Sequence, residues 1–161
     1  MTTLELLEYI SQERAALAGC YPLPSPLDCV RYALTELGEY EDAMLRAERT
    51  GDKRNNQKPS DARRELGQVG EMLGAAIVQL NRKRPLASEA IHTMESRLDS
   101  VATLAESIAK CLWYRMDMNS DAQWSFANWI ALVQLHGWDA HALLVERYTQ
   151  VREKHCTEVQ P

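Results

Sequence analysis

Residues 25–50 are SPLDCVRYALTELGEYEDAMLRAERT, and residues 60–84 are SDARRELGQVGEMLGAAIVQLNRKR. Apolar residues recur in both stretches at three- and four-residue spacing, which is the period of an amphipathic α-helix. Ser25 and Pro26 favour a helix start, because serine is a good N-cap and proline fits the first helical position. Ser60 gives the second stretch a similar start. Both stretches are therefore predicted to be helices, joined by a polar linker.

The helical period continues through most of the chain, and no alternating pattern typical of a β-strand occurs. Further helices are predicted at about residues 2–18, 88–116, 120–136 and 139–154. Short connections between helices of this length are typical of a bundle. The sequence therefore predicts a single all-α domain over residues 1–161, with about six helices in one helical bundle.

Composition limits the classes of partner. The chain has 161 residues with 18 basic and 23 acidic side chains, a formal net charge of −5. A hydrophobic fraction of 45% excludes disorder as the main state. The acidic balance argues against nucleic acid as a partner, because general nucleic-acid binding needs a basic face. No stretch is long and apolar enough for a membrane span, and residues 1–14 lack the basic start of a secretory signal. We therefore expect a cytoplasmic protein with no membrane partner.

The four cysteines are widely spaced, and no two of them form a CxxC pair. Their spacings fit no common zinc site. In a cytoplasmic protein, cysteines of this kind are usually reduced and buried in the core. The sequence therefore predicts four reduced thiols with a packing role, namely Cys20, Cys29, Cys111 and Cys156.

A short motif occurs once in each of the two long helices, as ELGE at residues 36–39 and ELGQ at residues 65–68. The outer residues of each motif are three positions apart, so their side chains are neighbours on one helical face. Each motif also places a glycine, Gly38 or Gly67, inside a helix. A glycine at such a position destabilises the helix by about 1 kcal/mol relative to alanine. We interpret the two glycines as residues that allow the two helices to approach each other closely at this level.

Antiparallel packing of these helices would bring the polar ends of both motifs into one cluster beside the apolar stripe. Ionised carboxylates in such a place must be paired or coordinated. Oxygen-only ligands select hard cations, so Mg²⁺ is predicted, with Mn²⁺ as the alternative. The metal ligands predicted are Glu36, Glu39, Glu65 and Gln68. The competing interpretation is a solvated acidic face that also includes Glu41 and Asp42.

The two motifs resemble the signature of the MazG-like, all-α nucleoside triphosphate pyrophosphohydrolases, a family that includes the dimeric dUTPases. The resemblance covers about residues 27–84 and implies a four-helix MazG-like core. It also implies Mg²⁺-dependent hydrolysis of a (deoxy)nucleoside triphosphate to the monophosphate and pyrophosphate, in a homodimer or homotetramer. In that family, metal ions held by these acids polarise the phosphate and activate a water. Glu39 is the carboxylate that we expect to take the proton of this water.

Gln68 stands where the family has aspartate, so the predicted metal set carries three charges. The alternative function is therefore a non-catalytic helical protein that binds a nucleotide or a partner through a degenerate metal site. Glu71, one turn beyond Gln68, is a weaker substitute, because it lies about 120° from Glu65 around the helix.

The linker and the last helix supply candidate substrate contacts. The linker is locally basic, and arginine and lysine suit phosphate oxygens while asparagine suits a sugar or base edge. The predicted substrate-binding residues are Lys53, Arg54, Asn55 and Lys58. The resemblance weakly extends to the last helix, where Tyr148, Arg152 and Lys154 match the family's phosphate-binding helix.

A di-iron bundle is a third class of function that the sequence suggests. Glu89 and His92 have the ExxH spacing of di-iron bundles. Such sites need two ExxH motifs, and no other histidine of the chain has a glutamate three positions before it. The sequence therefore favours the carboxylate and amide cluster over a di-iron site.

Overall fold

Six α-helices make up the part of the chain that the computed structural model describes, which is residues 1–48, 59–81, 96–114 and 118–156. The helices are α1 (Thr3–Ala16), α2 (Pro26–Glu48), α3 (Pro59–Leu80), α4 (Arg97–Tyr114), α5 (Met118–Leu135) and α6 (Ala140–His155). No β-strand occurs in these ranges, so the prediction of an all-α helical bundle is confirmed. None of the six helices is both long enough and apolar enough to cross a bilayer.

Local capping explains several helix boundaries. Thr2 and Glu5 form a reciprocal capping box at the start of α1. Ser25 Oγ accepts a hydrogen bond from the Asp28 amide at 3.2 Å, so the predicted start of α2 is confirmed. Asp139 accepts from the amide of Ala142 at 2.8 Å and caps α6. Gly137 lies just after α5 and adopts φ of 69°, a left-handed conformation that does not continue the helix.

The prediction for α4 is wrong at its start. A helix over residues 88–116 would run through position 96, but Ser96 lies outside the helix and caps it. Its Oγ accepts a hydrogen bond from the Asp99 amide at 3.1 Å. Leu98, on the first turn of α4, is 65% exposed. Helix α5 begins at Met118, two residues before its predicted start at about residue 120.

Helix α3 lies at the centre of the bundle, in contact with α1, α2, α5 and α6. Its pairing with α2 is antiparallel. Gln79 near the end of α3 donates to the carbonyl of Pro24, just before α2, at 2.9 Å. Nearer the start of α3, the backbone carbonyl of Leu66 accepts a hydrogen bond from the indole N–H of Trp129 on α5, at 2.7 Å. Trp129 is fully buried. The antiparallel pairing of α2 and α3 places the first two turns of α3 beside the middle of α2.

The two motif glycines do not have the role that the sequence suggested. Among the described residues, no atom from outside the local backbone of α2 lies within 4 Å of the position that a Cβ would take at Gly38, so no described helix approaches closely there. At Gly67 a Cβ would lie 3.3 Å from the carbonyl oxygen of Leu143, so the close approach is between α3 and α6. A glycine is required more strongly at Gly70, because a Cβ there would overlap the ring of Trp129.

The cysteines divide into two pairs. Cys29 and Cys111 are free and fully buried, as predicted, and burial raises the pKa of each thiol to about 11. The predicted reduced state is wrong for Cys20 and Cys156, which form a disulfide. The fold brings the turn after α1 against the end of α6, with a Cα–Cα distance of 5.4 Å. The two cysteines are separated by 136 residues in the sequence, and nothing in the sequence indicated that they are neighbours in space.

Candidate metal centre

Three carboxylates from α2 and α3 converge on one point of the helix pair. Glu36 and Glu39 lie one turn apart on α2, and Glu65 faces them from α3. One carboxylate oxygen of each residue lies within 4.8 Å of the corresponding oxygens of the other two. The antiparallel packing of α2 and α3 thus brings together the three acids that the motif pair singled out. We call Glu36, Glu39 and Glu65 the acidic triad.

The acidic triad runs from the helix interface to the surface. Glu65 is only 5% exposed, Glu36 is half-buried and Glu39 is exposed. One oxygen of Glu36, Oε2, is buried and has no hydrogen-bond partner. Burial, followed by hydrogen bonding of the protonated form to Glu65 and the charges of Glu39 and Glu65, raises the pKa of Glu36 to about 7. The positive charge of Arg147 acts in the opposite direction, and its effect on this pKa is smaller.

Two donors contact Glu65, the deepest member of the triad. The Arg64 guanidinium donates to Oε1, with a distance of 3.0 Å from Nε. Gln68 donates from Nε2 to Oε2. Arg64 also lies 3.6 Å from Asp61, so its charge is shared between two carboxylates. The hydrogen bond to Glu65 raises the pKa of Arg64. These contacts partly neutralise Glu65 but do not reach the unpaired oxygen of Glu36.

The triad opens into a cleft of about 580 Å³ between α2, α3 and α6. Besides the triad, the cleft is lined by Arg64, Gln68, Arg147, Gln150, Glu153 and Lys154. Residues 147, 150 and 154 recur at helical spacing, so they lie along one face of α6. Four acids and three bases therefore line the cleft, with the acids concentrated on α2 and α3. We call the α6 side of the cleft the α6 wall.

A buried network of charges holds Arg147 in the α6 wall. Arg147 Nε lies 3.1 Å from Glu71, and its Nη2 donates to the hydroxyl of Tyr21 at 3.0 Å. Glu71 is fully buried and also pairs with Arg14, which is 4% exposed. Glu71 is therefore a counter-ion for two guanidiniums and is not a member of the acidic triad.

The other residues predicted for the site have different outcomes. Gln68 lines the cleft beside Glu65, as the motif alignment predicted. Glu41 pairs with Arg97, and Asp42 pairs with Arg46 at 2.9 Å, so neither acid joins the triad. The predicted linker contacts lie outside the described residues, and so does the ExxH pair; these are Lys53, Arg54, Asn55, Lys58, Glu89 and His92.

The last helix contributes to the cleft in a different way from the one suggested by the resemblance. Lys154 lines the cleft, whereas Tyr148 is fully buried in the core and Arg152 pairs with Glu13. Sequence reasoning missed Arg147 and Gln150. Their spacing with Lys154 on α6 was a detectable signal, but nothing in the sequence indicated which side of α3 this helix would cover.

Comparison with known proteins adds no family assignment. Searches with this chain found no matching family model, no similar curated protein and no similar solved structure. The functional interpretation therefore depends on the chemistry of the acidic triad and of the cleft around it.

Proposed function

We propose that the protein hydrolyses a (deoxy)nucleoside triphosphate to the monophosphate and pyrophosphate, using Mg²⁺. The main support is the acidic triad, in which three carboxylates offer oxygens within 4.8 Å of one another and Oε2 of Glu36 is buried without accepting a hydrogen bond. A cation is the simplest group that would satisfy this oxygen and offset three negative charges. The resemblance of the two motifs to MazG-like pyrophosphohydrolases links such a cluster to triphosphate substrates.

The donor set fits a hard cation. It consists of oxygens alone, which favours Mg²⁺ or Mn²⁺ over zinc. Ligand oxygens around Mg²⁺ are about 3–4 Å apart, because each lies about 2.0–2.1 Å from the ion. Movement of the triad oxygens by less than about 1 Å would therefore reach this spacing. When bound, the cation would polarise a phosphoryl group and lower the pKa of a water.

The residues of the triad have separate roles in this proposal. Glu65 is the buried ligand and Glu36 the half-buried one, and Glu39 is both a ligand and the group that accepts a proton from the attacking water. Glu39 suits this second role because it is the exposed member of the triad, at the mouth of the cleft. Gln68 is a fourth, uncharged ligand once its amide rotates and presents the carbonyl oxygen in place of Nε2.

The α6 wall would hold the phosphate chain. Arg147 and Lys154 present cationic groups to the cleft, and arginine and lysine suit phosphate oxygens. The volume of about 580 Å³ falls in the range of small-ligand pockets. The linker residues Lys53, Arg54, Asn55 and Lys58 are proposed to contact the sugar, base or phosphates. A homodimer or homotetramer in the cytoplasm is part of the same proposal.

The test is incubation of the protein with each ribo- and deoxyribonucleoside triphosphate and Mg²⁺, with separation of the products. The proposal expects a monophosphate and pyrophosphate in equal amounts from at least one nucleotide. Glu39→Gln should abolish this turnover. Glu146→Gln is the matched control, because Glu146 is an exposed acid that pairs with Arg63 away from the triad. Absence of turnover with every nucleotide, together with no Mg²⁺-dependent rise in Tm, would contradict the proposal.

One observation favours the alternative of a non-catalytic binding protein. Gln68 and Arg64 already satisfy both oxygens of Glu65 without a cation. A protein of that kind would bind a nucleotide or Mg²⁺ and raise its Tm, but it would release no pyrophosphate. The same incubation therefore separates the two functions.

A further inference from the structure

The Cys20–Cys156 disulfide lies next to the residues that hold the α6 wall in place. Cys20 belongs to the turn after α1, and Cys156 is the C-cap of α6, with its amide bonded to the carbonyl of Arg152. Helix α6 packs chiefly on α3 and has fewer contacts with α1 and α5. The disulfide is therefore the covalent link between the last turn of α6 and the N-terminal part of the bundle.

The chain neighbours of the two cysteines contact each other. Tyr21 follows Cys20, and His155 precedes Cys156. Their rings are stacked, with centroids 5.1 Å apart and an interplanar angle of 24°. The disulfide and this stack together fix the position of the Tyr21 ring relative to α6.

Tyr21 in turn contacts the buried charge network. Its hydroxyl accepts a hydrogen bond from Arg147 Nη2 at 3.0 Å. The guanidinium of Arg14 lies over the same ring, 4.3 Å from its centroid. Glu71 fixes Nε of Arg147, so Tyr21 and Glu71 together determine how the guanidinium is directed into the cleft.

We propose that the Cys20–Cys156 disulfide, acting through Tyr21, positions Arg147 in the α6 wall and makes anion binding in the cleft sensitive to thiol redox state. Reduction by a dithiol breaks the S–S bond, leaves two protein thiols and converts the reductant to its own disulfide. The last turn of α6 then loses its covalent link, and Tyr21 no longer holds Nη2 of Arg147. Weaker anion binding rests on the proposed function, whereas the link between the disulfide and α6 does not.

The experiment uses the full chain purified without reductant. Alkylation under denaturing conditions should label two cysteines before reduction and four after it, because Cys29 and Cys111 are the free thiols. Affinity for inorganic pyrophosphate with Mg²⁺ is then measured by calorimetry in both forms. Reduction should lower the affinity for pyrophosphate about tenfold, which is the size expected for the loss of one charge-assisted hydrogen bond. Mn²⁺ affinity should change less than about twofold, since the acidic triad lies on α2 and α3.

Three variants separate positioning from general stability. Cys20→Ser with Cys156→Ser should bind pyrophosphate as weakly as the reduced wild type and should not respond to reductant. Tyr21→Phe keeps the disulfide and the aromatic ring but removes the hydroxyl. It should lower the affinity for pyrophosphate, and two cysteines should still be alkylated before reduction. Cys111→Ala, the control, should keep the full redox response.

Hydrogen exchange gives a readout that does not need a ligand. The amides of residues 150–155 should exchange faster in the reduced form. Four labelled cysteines in the protein after mild oxidation, or equal pyrophosphate affinity in the two forms, would overturn the inference even if the protein turns over nucleotides. Pyrophosphate binding in neither form would overturn the proposed function and the effect on the cleft, while faster exchange on reduction would still support the disulfide link.

Discussion

Helix α3 carries two buried glutamates with opposite surroundings. Glu71 is fully buried and faces two guanidiniums, those of Arg14 and Arg147. Glu65 is 5% exposed and faces two further acids, with Arg64 as the cation that pairs with it. One cluster therefore has an excess of positive charge, and the other an excess of negative charge.

This difference separates a structural cluster from a candidate binding site. The Glu71 network places one carboxylate between two guanidiniums of the chain and stabilises the contact of α3 with α1 and α6. In the acidic triad three carboxylates face one another, and one oxygen of Glu36 is buried without accepting a hydrogen bond. Arg147 belongs to both clusters, since it pairs with Glu71 and also lines the cleft.

The largest effect should come from breaking the Glu71 network. Glu71→Gln leaves two buried guanidiniums without their counter-ion, and removal of one partner of a buried pair costs about 3–5 kcal/mol. Urea unfolding should show a loss of this size. Glu146→Gln is the control, because its pair with Arg63 is half-exposed and should contribute less than about 1 kcal/mol. Equal losses in the two variants would mean that the buried network is not a special source of stability.

Gln68→Asp should sharpen the comparison by adding negative charge to the acidic triad. A fourth carboxylate increases the attraction for a divalent cation, so Mn²⁺ affinity should rise about tenfold, or about 1.4 kcal/mol. The same change removes the hydrogen bond from Gln68 to Glu65 and adds repulsion, which should lower the Tm of the metal-free protein. Calorimetric titration and thermal melting with and without Mn²⁺ measure both effects. Unchanged Mn²⁺ affinity would indicate that position 68 does not contact the cation.

The third prediction concerns the pH dependence of the metal-free protein. The pKa of Glu36 is about 7 in the folded chain, above the ordinary value of 4.5. Glu36 therefore contributes stability that is complete below about pH 4.5 and is lost as the pH rises through about 7. Glu36→Gln should raise the free energy of unfolding at about pH 8 by about 1 kcal/mol, allowing for solvent screening of this half-exposed group. The variant and the wild type should be equally stable at about pH 4; a constant difference would contradict the assignment.

The smallest effect should come from an acid close to the triad in sequence but outside it in space. Asp42→Asn removes a surface pair with Arg46, in which both side chains are about half-exposed. Such pairs contribute about 0.3–0.5 kcal/mol. Urea unfolding should therefore show little change, and Mn²⁺ affinity should be unaffected. A marked loss of Mn²⁺ affinity would mean that the general negative charge of α2, and not the triad, attracts the cation.

The sequence predicted those features that depend on local pattern. Apolar spacing and the cap at Ser25 predicted the helices, and motif spacing predicted the acidic triad. The break at Ser96 was missed because apolar residues recur at helical spacing on both sides of it, and this spacing does not mark an N-cap inside a periodic stretch.

Features that depend on tertiary packing were not predictable in this way. Gly67 approaches α6 and not α2, because the position of α6 over α3 is set by the whole core. The Cys20–Cys156 disulfide joins residues from opposite ends of the chain. Arg147 has its role only because Glu71 and Tyr21, on other elements, converge on its guanidinium.

The central claim is that the acidic triad binds a divalent cation, and a Mn²⁺ titration at about pH 8 tests it most directly. At this pH Glu36 is ionised in the folded chain, so proton competition is small. We predict saturable Mn²⁺ binding to the wild-type protein and to Asp42→Asn, and its loss in Glu36→Gln. Binding to Glu36→Gln with wild-type affinity, or no saturable binding to the wild type, would contradict the claim.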